Sequence, residues 1–491
     1  MSDRLYIACD LGAESGRVML GTLSGGKLSL EEIHRFPNGP SRVLGTLRWN
    51  LLRLFDELKT GLRKLAARGI QPESLSVDSW GVDYAYLSKS QPMLGIPFNY
   101  RDERTERTYQ PTLDRATPEL IFEETGLQFM SINTIYQLVS DVETQPELLA
   151  IADQFLHVGD YFNYLFSGVA KVDASNASTS QIYNPRTKRW SAALIEKLGI
   201  PAHIFPEVVP SGTPLGRLLP GLVSETGLPA ATQVIATCSH DTGAAVAAVP
   251  AHGEDWAFLS SGTWSLIGVE LPAPLINETA RRANFTNEVG YNDTSRFLKN
   301  IAGLWILQEC RRAWLKEGGE YSYDGLNLLA HDAEPLRSLI NPNHPPFSKP
   351  DDMPAKIRAY CESTAQPAPE TPGQFVRCIL ESLALLYGHY LTELESITGR
   401  TLRTLHVVGG GSQSKMLNQF TADATGRTVF AGPVEATAIG NILVQALALG
   451  QLDSLEGARK IVSDSFPVET FTPDEKSALV QGRARFAQLI A

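Results

Sequence analysis

A chain of 491 residues is too long for a single hydrophobic core and predicts two or three domains, with 43% hydrophobic and 20% charged residues pointing to an ordinary folded, soluble protein. Its net charge of −11 and pI near 5.4 provide no general basic surface for nucleic acid or an anionic membrane, so a phosphate compound would have to be held by local groups. No run of about twenty apolar residues occurs and the N-terminus has Asp3 and no apolar h-region, which argues against a spanning helix or a secretory signal and makes the cytoplasm the expected location.

Cys9, Cys238, Cys310, Cys361 and Cys378 lack CxxC spacing or paired histidines, so a zinc site is not expected. Cys361 and Cys378 could pair, with free thiols the expected state in a reducing compartment.

From the N-terminus, residues 4–9 read as a strand, 10–16 as a polar, glycine-containing turn, and 18–23 as a second strand. Ser24-Gly25-Gly26-Lys27 then turns the chain into a third strand over 28–34. Leu51, Leu54, Phe55, Leu58, Leu62 and Leu65 recur at helical spacing and predict a helix over 51–68 that ends at Gly69. Residues 74–78 predict a strand stopping at Ser79-Trp80-Gly81, and helices with loops dominate 104–230.

Residues 234–249, VIATCSHDTGAAVAAV, put His240 and Asp241 at a joint between a β-branched strand and a helix of small residues. Read locally, Ser239 or Asp241 is an N-cap, accepting backbone N–H bonds at the helix start. The opening theme then returns as a strand over 256–259, a polar turn Ser260-Ser261-Gly262-Thr263, and a strand over 265–269. This is either an internal duplication of the first hairpin or a second, unrelated one. Helices dominate 301–396, including an apolar-faced one over 375–397. A late strand over 405–408 runs into Gly409-Gly410-Gly411 and a helix over 413–425, and 435–450 make a further helix with Gly440 inside it.

Three loops after strands are therefore rich in Gly, Ser and Thr, the layout in which backbone amides meet phosphates. The first, DLGAESGR, lacks GxxxxGK[ST] and joins two strands, so it is neither a Walker A loop nor a dinucleotide fingerprint. Gly12 and Gly16 would allow a phosphate close to the backbone. Asp10, at a strand end, is a turn former when read alone and suits Mg²⁺, which prefers oxygen ligands and keeps several waters.

Duplicated hairpin-led domains are the plan of the actin-like ATPase folds, which include sugar kinases. The chain resembles the FGGY family of carbohydrate kinases along nearly its whole length. The match is carried by DLGAESGRVML (10–20), DSWGVDY (78–84), NYRDERT (99–105), TIYQL (134–138), SHDT (239–242), SSGTWSL (260–266), KNIAGLW (299–305), VVGGG (407–411) and AGPVEATAIGN (431–441). Tyr100, where many relatives have Trp, and the 134–138 segment depart from the xylulose and glycerol kinase pattern and point to the branch acting on L-rhamnulose.

The resemblance implies an α/β fold of two actin-like (ribonuclease H-like) ATPase domains with an interdomain active-site cleft. Residues 1–247 would bind sugar and phosphate and carry the catalytic base, and 248–491 would bind the nucleotide. It implies Asp241 as general base, and Gly81, His240, Asp241, Thr242 and Asn300 as substrate-binding residues. Ala13, Glu14, Ser15, Gly16, Arg17 and Thr263 would meet the phosphates of ATP, Gln308 and Gly410 the rest of the nucleotide, and Asp10 a Mg²⁺ ion through water. Trp80 and Trp305 either pack on the sugar or belong to the core. The implied reaction is ATP plus L-rhamnulose to ADP plus L-rhamnulose 1-phosphate, Asp241 taking the C1 hydroxyl proton. The alternatives are another ketose or polyol, such as L-fuculose or D-xylulose, and a non-kinase actin-like ATPase. Sugar and ATP are the expected partners, with no nucleic acid and no membrane, and the chain is expected to be a monomer or weak homo-oligomer.

Overall fold

The opening meander follows from alternating apolar residues broken by glycine. β1 (Arg4–Leu11) pairs antiparallel with β2 (Ser15–Ser24), which turns at Gly25 and Gly26, both at positive φ, into β3 (Lys27–Pro37). β1 and β2 run further than the sequence predicts because pairing continues to Leu11 and Gly16, leaving only residues 12–14 as the connecting loop. α1 (Leu51–Ala67) buries Leu51, Leu54, Leu58, Leu62 and Leu65; Asn50 caps it by accepting from the Arg53 amide, and Gly69 lies beyond its end at φ 72°. β4 (Ser74–Ser79), buried at every position, joins β1 in parallel, and β5 (Thr213–Arg217) and β6 (Gln233–Ala236) complete a sheet ordered β5-β6-β4-β1-β2-β3. After β6 the chain turns into the short α2 (Asp241–Ala247).

The computed structural model describes residues 3–490 and divides into two compact units, one made of 3–250, 270–297 and 436–465, the other of 251–269, 298–435 and 466–490. In the second, β7 (Trp256–Ser261) and β8 (Trp264–Leu271) form an antiparallel hairpin whose turn is only Gly262-Thr263, shorter than the four-residue turn expected. β9 (Ser295–Ala302) follows, then α3 (Trp305–Lys316) and the long α4 (Pro372–Thr398), which has Pro at its first position and ends at Gly399 in the left-handed conformation. β10 (Thr404–Val408), α5 (Lys415–Thr425), β11 (Thr428–Ala431), α6 (Ala436–Ala448) and β12 (Glu469–Phe471) close the order.

This sheet has seven strands and runs from an edge strand, Thr286–Val289, through β9-β8-β7-β10-β11-β12, with β7, β10 and β11 parallel and β12 antiparallel at the other edge. The first sheet has the same plan: a hairpin, two parallel strands and an antiparallel edge strand. The likeness of the two hairpins therefore extends to six strands, which is the pattern of an internal duplication.

Although it lies after residue 435, α6 belongs to the first unit and explains the alanine run. A Cβ at Gly440 would sit 1.7 Å from the Ala244 carbonyl oxygen, so α2 and α6 cross with backbone against backbone. Only small residues fit such a crossing, and Thr242 to Ala247 are all buried. From the same helix Gln445 donates to the Ile7 carbonyl (2.9 Å) and accepts from Ser74 (2.6 Å), tying α6 to β1 and β4.

Among the described residues no helix is long and apolar enough to cross a membrane. The five cysteines are buried free thiols.

Gly440→Ala gains about 1 kcal/mol of helix propensity and loses more to the collision with the Ala244 carbonyl, since overpacking costs about 1–3 kcal/mol. The expected result is a lower urea midpoint together with lost activity, because α2 begins at Asp241.

Candidate active site

Parallel strands present their carboxyl ends at one edge of a sheet, where ligands of open α/β sheets bind. In the first unit this edge is stitched by backbone bonds: Trp80 N donates to Leu11 O (3.3 Å), Ser79 N donates to Ser239 O (2.9 Å), and Ser79 and His240 form a parallel bridge. Asp10, Gly81 and the His240-Asp241-Thr242 segment are thereby gathered on one sheet edge.

The cap expected at the joint is absent. His240 occupies the N-cap position without a side-chain bond to the helix, and Asp241 is the first helical residue. Ser239 is turned inward, its amide donating to Asp173 (3.2 Å) and its hydroxyl to the Thr237 carbonyl (3.3 Å). The reason is the sheet: bridging Ser79 to His240 holds the backbone extended one residue further than a Ser239 cap would need. Asp241 Oδ1 instead accepts from the Thr242 hydroxyl (3.0 Å), with His240 Nε2 at 3.5 Å and 30% of its side chain exposed. Burial pushes the Asp241 carboxyl above its ordinary value; the charge of His240 and the bonds from Thr242 oppose this, and Asp10 adds to it.

Arg17, expected at a phosphate, is held by its cross-strand partner: Nε and Nη2 donate to Asp10 Oδ2 at 2.9 and 2.6 Å. Asp78 lies opposite Asp10 across the β1–β4 register and is fully buried. Asn441, on α6, donates to its Oδ2 (2.5 Å), while Oδ1 has no hydrogen-bond partner. Burial and then Asp10 push the Asp78 carboxyl well above the carboxylate range, against the Asn441 bond. Sequence reasoning quoted Asp78 in a motif without giving it a role. Three carboxylates thus share this edge as hard oxygen donors, the kind Mg²⁺ takes. Among the described residues no three His, Cys, Asp or Glu side chains cluster as a metal cage.

The loop of residues 12–14 is closed by Gly12 N donating to Ser15 O (2.9 Å) and by Asn38, whose side chain donates to Gly12 O and whose amide donates to Glu14 O, each at 2.8 Å. Asn38 was not foreseen; its signal was the Pro37-Asn38-Gly39 turn. Ala13, Glu14 and Ser15 are half-buried. Gly16 has a packing reason as well: a Cβ there would lie 2.4 Å from the Phe36 ring.

Gly81 opens a tight turn. Its carbonyl accepts from Asp83 N (2.9 Å) across Val82, which is held at φ 64°, a conformation that costs a β-branched residue about 1–3 kcal/mol. Surrounding bonds over-determine it. Val82 N donates to Thr179 (3.1 Å), Thr134 donates to Val82 O (2.7 Å), and Asp83 accepts from the Trp49 and Trp80 indoles (2.6 and 3.0 Å), Tyr100 N (3.1 Å) and Gln137 (3.0 Å). Burial raises the Asp83 carboxyl to about 6 against these four donors. Asp83 is a buried hydrogen-bond hub that the sequence reading did not single out, although DSWGVDY contains it. Trp80 stacks on Trp49 at 4.2 Å between ring centroids and is a core residue.

In the second unit, the Gly262-Thr263 turn is buttressed from α3, with Leu304 N donating to Gly262 O (3.0 Å) and Trp305 N to Thr263 O (3.1 Å). The Trp305 indole donates to Phe347 O (3.1 Å). One turn along α3, Gln308 has a buried Oε1 with no hydrogen-bond partner, an atom a ligand could satisfy. The three glycines after β10 divide their work: a Cβ at Gly409 would lie 3.0 Å from Ser261 O and one at Gly411 2.0 Å from Ser261 Oγ, whereas nothing lies within 4 Å at Gly410. Asn300 is half-buried on β9. Thr263 and Gly410 therefore flank the β7–β10 pair, as two phosphate-type loops at adjacent strand ends would.

Comparison with known proteins covers both units. The sequence model of the FGGY family of carbohydrate kinases, N-terminal domain, matches residues 5–248, and that of the C-terminal domain matches 257–449. A rhamnulokinase of Enterococcus faecalis is 42% identical over 483 residues, spanning 98% of this chain and 96% of that relative. One of Bacteroides thetaiotaomicron is 43% identical over 473 residues, spanning 96% of each. One of Bacillus subtilis is 39% identical over 479 residues, spanning 97% of each. Among solved structures, a ligand-bound xylulose kinase from Lactobacillus acidophilus has a TM-score of 0.81 at 15% identity, with 99% of this chain and 97% of that one covered. Plasmodium falciparum glycerol kinase with ADP has a TM-score of 0.79 at 13% identity, covering 99% and 98%. At those identities the structural likeness speaks for the fold alone.

Removing Asp83 leaves two indole N–H groups and one backbone N–H without their acceptor, each worth about 1–3 kcal/mol when buried, while the Gln137 amide keeps the Ile132 carbonyl. Asp83→Ala is expected to cost about 3–5 kcal/mol in urea unfolding, and Asp83→Asn, which keeps one oxygen, about 1–2 kcal/mol.

Proposed function

Because the chain belongs to the FGGY family of carbohydrate kinases, we propose that it transfers the γ-phosphoryl group of ATP to the C1 hydroxyl of L-rhamnulose, giving ADP and L-rhamnulose 1-phosphate. The acceptor rests on one observation: 39% to 43% identity to rhamnulokinases across nearly the full length of both partners, and so across sugar and nucleotide sides alike.

The chemistry is positioning, charge neutralisation and one proton transfer. The C1 oxygen attacks the γ-phosphorus, the bond to the β,γ-bridging oxygen breaks, and Asp241 takes the hydroxyl proton. Asp241 suits this because it is partly exposed at the sheet edge and flanked by two groups able to hold sugar oxygens, His240 and Thr242. The backbone of Gly81, aimed by the Val82 turn, and the amide of Asn300 supply further sugar contacts. Residues 13–17 and Thr263 receive the phosphates, and Gln308 and Gly410 the rest of the nucleotide. Asp10, with Oδ2 engaged by Arg17, keeps Oδ1 for a water of Mg²⁺, an ion that would neutralise phosphate charge. The protein acts in the cytosol, as a monomer or weak homo-oligomer.

A coupled assay on L-rhamnulose, L-fuculose, D-xylulose and glycerol tests the acceptor. L-Rhamnulose should give the highest kcat/KM; a higher value on another sugar would replace it, and equal ATP hydrolysis without sugar would remove the kinase reading. Asp241→Asn should lower kcat by about 10² to 10⁴-fold while ATP affinity, measured by calorimetry, stays within roughly twofold. Since the base works only when deprotonated and burial raises Asp241, wild-type kcat/KM should fall on acidification from a pH above the ordinary aspartate value of about 3.9. An acid limb at or below that value would assign it to another group.

A further inference from the structure

The far side of the His240 ring meets a buried charged pair that neither the reaction nor the fold so far accounts for. Glu288, on the strand Thr286–Val289, and Arg296, the second residue of β9, face each other across a short turn, with 5% and none of their side chains exposed. Arg296 Nη1 lies 3.0 Å from Glu288 Oε2, and Nε and Nη2 donate to the Val289 carbonyl at 3.3 and 3.1 Å. Nη2 also points at His240 Nδ1, 3.3 Å away, and Glu288 Oε2 is 3.3 Å from the same nitrogen. On the other side of the ring, Nε2 is 3.5 Å from Asp241 Oδ1.

Two physical facts give this arrangement a meaning. An ion pair taken out of water generally contributes no more stability than apolar residues of the same volume, so stability does not explain this one. A guanidinium can only donate and a carboxylate can only accept, so the two compete over Nδ1; the Arg296 contact has hydrogen-bond geometry whereas the Glu288 contact is an ion-pair distance, which makes Nδ1 the unprotonated nitrogen.

We propose that Arg296, with Glu288 as its counter-ion, is a positioning residue that fixes His240 as the tautomer protonated on Nε2, aiming that N–H at the sugar and at Asp241. The arginine carries a positive charge beside Nδ1. Glu288 cancels that charge towards the rest of the buried surroundings and holds the guanidinium in place. The ring then offers one fixed donor beside the carboxylate that receives the substrate proton. The inference deepens the proposed function, since it rests on His240 as a sugar-binding residue.

The test is a double-mutant cycle in the full-length enzyme, run with whichever sugar the wild type phosphorylates best, so that a wrong acceptor does not obscure it. Glu288→Gln with Arg296→Met removes both charges together and strands neither. In the wild-type background the pair should raise KM for the sugar on the order of tenfold, as for side chains coupled by contact, with KM for ATP and the thermal midpoint little changed. In a His240→Ala background the same pair should change the sugar KM less than roughly twofold. Equal losses in both backgrounds, parallel rises of both KM values, or an unchanged sugar KM would each overturn the proposal. If the paired variant does not fold, Arg296→Lys, which keeps the charge but loses the fork, serves in the same cycle with the same expected and overturning outcomes.

Discussion

The backbone crossing of α2 and α6 at Ala244 and Gly440 is the contact on which the first unit is built. At that separation no side chain fits between the helices, which accounts for the run of alanines after Asp241 and for the glycine inside α6. The consequences reach the chemistry. The crossing fixes the axis of α2, and so the position of its first residue, Asp241. It also lays α6 along β1 and β4, so that Asn441 and Gln445 satisfy buried groups of those strands. A segment more than 190 residues later in the chain thus completes the sheet edge at which the carboxylates gather.

Electrostatics at this edge is asymmetric. Asp10 pushes the Asp78 and Asp241 carboxyl groups up and Asp241 adds to the push on Asp78, while Arg17 donates to Asp10. Such a site is poorly satisfied by itself. A proton, a cation or the positive field of a bound ligand would each relieve it, and a kinase brings a cation with its nucleotide. A related constraint appears at the Val82 turn, where a strained backbone is held by Thr179 at its N–H and Thr134 at its carbonyl. Strain of that kind persists only when its surroundings leave no alternative.

The two sheets share strand order and direction, yet their hairpin loops are finished differently. Residues 12–14 are closed by Asn38 from the end of the third strand, whereas Gly262-Thr263 is closed by amides at the start of a helix. One architecture therefore yields two loops with different exposed atoms. This is what a duplicated fold needs if each half is to take a different part of the substrate pair.

Much of this was legible in the sequence. Strands and helices with strong periodicity, the two hairpins, the joint at Asp241 and the family all follow from local pattern and motif order, because backbone sterics and hydrophobic spacing act over a few residues. The outcome at Ser239, Gly16 and Asp83 did not follow. Ser239 has the right chemistry for a cap but is claimed by Asp173 and by the pairing of its neighbour with Ser79. Gly16 has the spacing of a phosphate glycine and also lies under Phe36, and Asp83 becomes a hub only because Trp49, Trp80, Tyr100 and Gln137 converge on it from four stretches of chain. The sequence by itself determined which residues could do chemistry and in which local conformation. Tertiary structure alone decided which were left free to do it, because hydrogen-bond donors and packing volume are claimed by whatever part of the chain arrives beside them.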